Sequence, residues 1–181
     1  MRRALTAVIA AVLGSSALAD DWAAPVPRLF VSEGGPTAYG FKVLPQNPAL
    51  GAQARGELFT LSPDGRVPTV WRGQLRNLPL TVTISPQGEV VTVDTYGGDQ
   101  QGRHALVIYS LSGTVLTDLP YAAIVTERPA HPRSQVGGLS GPFLSQVYAL
   151  TLAFDGRWTL VFKDALGHGP VFDAATGKRI R

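Results

Sequence analysis

The chain has 181 residues, a formal charge of +3 and no cysteine, so thiolate and disulfide chemistry are excluded and any core must hold by packing alone. Two of its 16 basic residues, Arg2 and Arg3, lie at the extreme N-terminus, and without them the excess falls to +1. No basic stripe is interleaved with aromatics, so no nucleic-acid partner is expected.

Arg2 and Arg3 precede an apolar run at 7–13 and the small-residue triplet Ala17-Leu18-Ala19, the layout of a secretory signal peptide cleaved after Ala19. The run is shorter than the ~20 residues that cross a bilayer. Residues 1–19 are therefore read as a signal peptide and 20–181 as a single soluble domain, periplasmic or secreted, with no membrane span after cleavage.

From there the pattern is β. Residues 28–32 and 37–43 alternate and are expected to pair around Glu33-Gly34-Gly35-Pro36. A hairpin then recurs with nearly the same spelling: Leu61-Ser62-Pro63-Asp64-Gly65, Ile84-Ser85-Pro86-Gln87-Gly88 and Leu152-Ala153-Phe154-Asp155-Gly156. In the first two, Pro presets one backbone angle, and in all three Gly takes the positive φ that closes the turn. Further hairpins turn through Ser110-Leu111-Ser112-Gly113 and Ala174-Ala175-Thr176-Gly177. Between them, 118–125 has an N-cap residue and an early Pro and predicts a turn or two of helix. The stretch 127–145, dense in Pro, Gly and Ser, predicts a long loop, a common place for function.

Together these elements predict an all-β fold of blade-like four-stranded antiparallel units at about 28–77, 80–117 and 147–181. Three units are too few for a closed propeller of ~4 to 8 blades, which leaves a partial β-propeller, a curved β-sandwich, or half of an oligomeric ring.

From 56 to 119 the chain resembles a group of uncharacterised secreted bacterial β-propeller-like repeat proteins. The resemblance is carried by Trp71, Leu75-Arg76-Asn77-Leu78-Pro79, Ile84-Ser85-Pro86-Gln87-Gly88, Val91-Thr92-Val93-Asp94, Ala105-Leu106-Val107-Ile108-Tyr109 and Gly113. It implies fold and export, and brings no catalytic residues. In size, compartment and repeat pattern the chain is also similar to periplasmic immunity proteins of type VI peptidoglycan amidase effectors, which resemble incomplete propellers and plug a toxin's active site with a loop.

Catalytic chemistry finds little footing. Gly138-Leu139-Ser140-Gly141-Pro142 has Pro where a nucleophile elbow needs Gly, and no strand-to-helix context surrounds it. His104, His131 and His168 fall in three separate connections without paired metal-ligand spacing. Asp94 and Asp99 flank one turn but supply too few oxygens for calcium, so Asp94 is read as capping its own turn. No catalytic residue, metal or cofactor is expected. The expected function is a non-enzymatic protein-binding module, in its concrete form an immunity protein that blocks a cell-wall-targeting toxin. A small secreted hydrolase and a self-assembling structural envelope protein are the alternatives. Candidate partner-binding residues are His131, Arg133, Ser134 and Ser140 in the long loop and Ser110 and Ser112 in the 110–113 turn, with another protein as partner and homo-oligomerisation open.

Overall fold

The computed structural model describes residues 24–32, 34–46, 53–96, 102–125, 144–146 and 148–181. The segment read as a signal peptide lies outside these residues. Period-two alternation builds eleven strands among them, in three antiparallel sheets. The first sheet is the meander β1 (Arg28–Val31), β2 (Ala38–Gln46), β3 (Gln53–Leu61) and β4 (Thr69–Gln74). The second is the meander β5 (Thr81–Ile84), β6 (Val90–Val93), β7 (Leu106–Tyr109) and β8 (Val115–Leu119). In the third, β9 (Ala149–Phe154), β10 (Trp158–Lys163) and β11 (Val171–Asp173) pair in the same order.

The all-β expectation is met, and two of the sheets are four-stranded. In the third, the fourth strand is reduced to one bridge between Phe172 and Arg179. The tail after Gly177 reads Lys-Arg-Ile-Arg and is exposed, so it has no apolar alternation to bury against the sheet. The predicted helix is also shorter than expected. It is a single turn, α1 (Tyr121–Ile124), because Asp118 belongs to β8, where it lies opposite Val107. Among the described residues no helix is long and apolar enough to cross a membrane.

The sheets stack with the second in the middle. One of its faces gives Ile84, Val90, Val107 and Tyr109 to a core shared with Phe41, Leu58 and Trp71 of the first sheet. The other gives Val91, Val93, Leu106 and Ile108 to a core shared with Leu160, Phe162 and Phe172 of the third. Every residue of β6 and β7 is buried, which is why these two strands read as almost unbroken apolar runs. In the first core Trp71 stacks on Tyr109 with ring centroids 5.8 Å apart and tilts against Phe41. Its buried indole N–H has no acceptor among the described residues, so Trp71 serves there as hydrocarbon and aromatic surface.

Three turns meet at one end of the stack. Gly35, at φ 98°, lies against Pro86, and Gly88, at φ 91°, lies against Leu111 and Tyr39. A Cβ at position 88 would stand 2.5 Å from Leu111 Cδ1, on a backbone that side chains rarely adopt. Gly88→Val is therefore expected to destabilise the protein by about 2 kcal/mol, since it adds left-handed strain to the crowding. A thermal melt within a degree of the wild type would contradict it.

Candidate functional site

The first strand of each sheet borders a common cleft of about 300 Å³, lined by Val31 of β1, Val82, Thr83 and Ile84 of β5, and Leu150, Thr151 and Leu152 of β9. These segments are strands because β-branched and aliphatic residues alternate through them. The walls are fixed by side chains behind them. Arg28 donates from its guanidinium to the carbonyls of Leu80, at 2.8 Å, and Pro79, joining β1 to the start of β5. The lining is aliphatic and hydroxylic, with no ionisable side chain.

The second and third sheets are joined at Asp94. This residue has φ 60°, a left-handed conformation that Asp tolerates better than most. Its carboxylate accepts from the backbone N–H of Leu144 at 2.6 Å, and from the N–H and hydroxyl of Ser145 at 3.0 and 2.6 Å. Both donor residues belong to a 3₁₀ turn (Leu144–Gln146) that leads into β9. The expectation that Asp94 caps its own turn is corrected here. The carboxylate instead bridges to a segment 50 residues along the chain. Burial pushes the Asp94 carboxyl above its ordinary range, against the pull of the three donors.

Directly behind Asp94 lies Asn77, buried and fully engaged. Its amide donates to the carbonyls of Asp94, at 2.8 Å, and His104, at 3.1 Å, while its oxygen accepts from the Thr92 hydroxyl at 3.0 Å. Nearby, His104 Nδ1 is 2.8 Å from Asp118, whose other oxygen is 3.8 Å from Arg76. This is a His-Asp pair on the surface of the second sheet, with no serine or threonine hydroxyl bonded to the imidazole in the described contacts.

Of the candidate binding residues, His131, Arg133, Ser134 and Ser140 lie outside the described residues, as does Asp99. Ser110 and Ser112 stand in the β7–β8 turn. The Ser110 hydroxyl accepts from the N–H groups of Ser112 and Thr114 at 3.3 and 3.1 Å and lies 2.9 Å from the Ser112 hydroxyl. Ser110 is thus engaged in closing its own turn, and Ser112 is the more exposed of the two. The tip of that turn, Gly113, lies on the Trp71 ring, which ties it to the first sheet. No group of three or more His, Asp or Glu converges as a metal site among the described residues.

Reasoning from sequence missed the cleft and the Asn77 and Asp94 contacts. The only sequence signal for them was the unusual polar residues, Asn77 and Thr92, set within apolar surroundings. No protein-family model, curated protein or solved structure matches the chain.

Proposed function

We propose that this is an exported, non-enzymatic binding module whose partner is another protein. The observation that supports the reading is the uncharged cleft where three sheets converge. Thr83 and Thr151 offer hydroxyls beside Val31, Leu150 and Leu152, a lining that suits the backbone and aliphatic side chains of an inserted polypeptide loop. A phosphate or sugar acid would find no cation in it. The cleft is lined by residues of hydrogen-bonded strands, whose preorganisation reduces the conformational entropy lost on binding.

In its concrete form the reading is an immunity protein that blocks a toxin acting on the cell wall, an idea that rests on the sequence resemblance and the expected export. The test is capture of a partner from an extract of exported proteins, its identification, and titration of the purified pair. Thr83→Lys places a charged side chain in the cleft mouth and is expected to weaken binding at least tenfold without changing the circular dichroism spectrum. Replacement of residues 129–141 by a short Gly-Ser linker tests the long-loop residues His131, Arg133 and Ser140 separately. Normal binding by Thr83→Lys, with loss on loop replacement, would move the interface from the cleft to the loop. Normal binding by both would sink the reading.

A further inference from the structure

A strand at the edge of a sheet turns half of its backbone N–H and C=O groups away from its one neighbour. In the third sheet the printed ladder fixes which half that is. Trp158, Leu160 and Phe162 of β10 face β11, since the Trp158 carbonyl accepts from Ala174 N–H at 3.0 Å and Phe162 N–H donates to the Pro170 carbonyl at 3.1 Å. Thr159 and Val161 therefore face β9, where they lie opposite Ala153 and Thr151. The backbone groups of Leu150, Leu152 and Phe154 point the other way, and among the described residues none of them has a hydrogen-bond partner. Leu150 and Leu152 are also residues of the cleft lining.

Among the described strands the other sheet edges are blunted. β4 and β8 pair with their neighbours through irregular register, and each carries a charged residue, Arg72 and Asp118. β11 is covered by the tail: Val171 N–H donates to the Arg181 carbonyl at 2.9 Å and the Val171 carbonyl accepts from Ile180 N–H at 2.8 Å. β1 and β5 are only four residues long, and Arg28 of β1 is bonded across to Leu80. β9 has six residues, Ala-Leu-Thr-Leu-Ala-Phe, with no charge, no proline and an unbroken register to β10. A flat, uncharged edge of that kind is what β proteins avoid unless another strand is meant to pair with it.

We propose that β9 accepts an extended segment of another polypeptide as an added antiparallel strand, which brings the third sheet to four strands like the other two. The proposal rests on the reading of the cleft as a protein-binding site and specifies the form in which the partner enters it. The occupant follows from the chemistry of the edge. Donors and acceptors that recur every ~6.6 Å along a strand are matched in full by another extended backbone. In antiparallel pairing, the residues that bond Leu150 and Leu152 stand directly opposite them with side chains on the same face. Around them the cleft offers Val82, Ile84 and the two leucines, so these partner residues are aliphatic and uncharged. The residue between them lies beside Thr151, which is exposed, and is free to be polar.

The test is amide NMR of the isotope-labelled full chain with one probe, a capped peptide of sequence Lys-Thr-Val-Thr-Val-Thr-Lys. In the free chain the Leu150 and Leu152 amides should exchange with deuterium before the first spectrum, while those of Thr151 and Ala153 stay protected. The peptide at millimolar concentration should shift the Leu150 and Leu152 amides and slow their exchange. N-methylation of its valines removes the bonding N–H groups and should weaken binding about tenfold or more, whereas N-methylation of its threonines should not. Leu152→Pro removes a bond from the protein side and spares the ladder to β10, so it should lose the peptide with an unchanged circular dichroism spectrum. If that variant misfolds, the methylated peptides decide the question.

The proposal is overturned by a titration that leaves the Leu150 and Leu152 amides unmoved, by equal binding of the two methylated peptides, or by loss with the methylated threonines alone. Protection of those two amides in the free chain overturns it too: in a dimer it would mean a second copy on the edge, and in a monomer a segment of this chain. If the peptide fails while Thr83→Lys still weakens partner binding, strand addition falls and the cleft reading stands. If the peptide binds at β9 while neither Thr83→Lys nor the loop replacement affects the partner, the cleft reading falls and β9 stands as a strand acceptor.

Discussion

Asn77→Ala is expected to lower stability by about 3–5 kcal/mol, because it takes the donor from one buried and one half-buried backbone carbonyl and leaves the buried Thr92 hydroxyl only a long contact to the Val107 carbonyl. The affected groups are Asp94 O, His104 O and the Thr92 hydroxyl, which lie on three different segments of the second sheet and its connection. An Asn side chain can serve two acceptors and a donor at once, and no aliphatic residue of similar volume can. In a domain of this size such a loss shifts the melting temperature by about 10 °C or more. Asn77→Asp is the informative companion. It keeps the acceptor for Thr92 and loses both donors, so it should fall near Ala. A melt within 3 °C of the wild type for either variant would show that water replaces the amide.

The second large effect belongs to Asp94. Asp94→Ala removes the acceptor for two N–H groups and a hydroxyl, and it places Ala at φ 60°, so about 3–4 kcal/mol of destabilisation is expected. Asp94→Asn tolerates the backbone but turns an amide N–H toward donors, and should lose somewhat less. The pH dependence has a definite sign. Because the folded carboxyl holds its proton to higher pH than the unfolded one, the folded state binds more protons across the interval between the two values. Asp94 therefore contributes a loss of stability as pH rises through that interval, complete once the folded carboxyl has ionised. Asp173, Asp164 and Glu57 carry lowered carboxyls and tilt the curve the other way. The difference between the wild type and Asp94→Asn isolates the Asp94 contribution. Denaturant titrations from pH 3 to 7 should show the wild type losing ground to Asp94→Asn with rising pH over that interval. Parallel curves would refute the assignment.

Much of the fold was legible because its signals are local. The Pro-Asp-Gly and Pro-Gln-Gly turns, together with period-two alternation, mark hairpins within about ten residues, and Gly65, Gly88 and Gly156 all adopt the positive φ such turns require. What could not be read is non-local. Asp94 sits in a turn and looks like a turn residue, yet its partners are 50 positions away. Val90 and Val91 look alike in sequence although they serve different cores. Asp118 looked like a helix cap because it precedes a proline, but β7 recruits it as a strand residue. The cleft was equally hidden, since its walls come from β1, β5 and β9, which no sequence window contains together.

The doubly covered second sheet raises a question of alignment. In a sheet with one wet face, sliding a strand by a single residue turns its apolar side chains to water, and that penalty keeps the strands in step. β6 and β7 lack that safeguard, since either set of valines would remain in hydrocarbon. Thr92 supplies it instead. A one-residue slip would carry its hydroxyl away from Asn77 and into the core of Leu106, Ile108, Leu160 and Phe162, where none of those side chains can accept its hydrogen. Gly88 and Gly113 support the same alignment from the turns, since a Cβ at either would collide with Leu111 or Trp71. One hydroxyl and two missing methyl groups thus do for this sheet what contact with water does for an ordinary one.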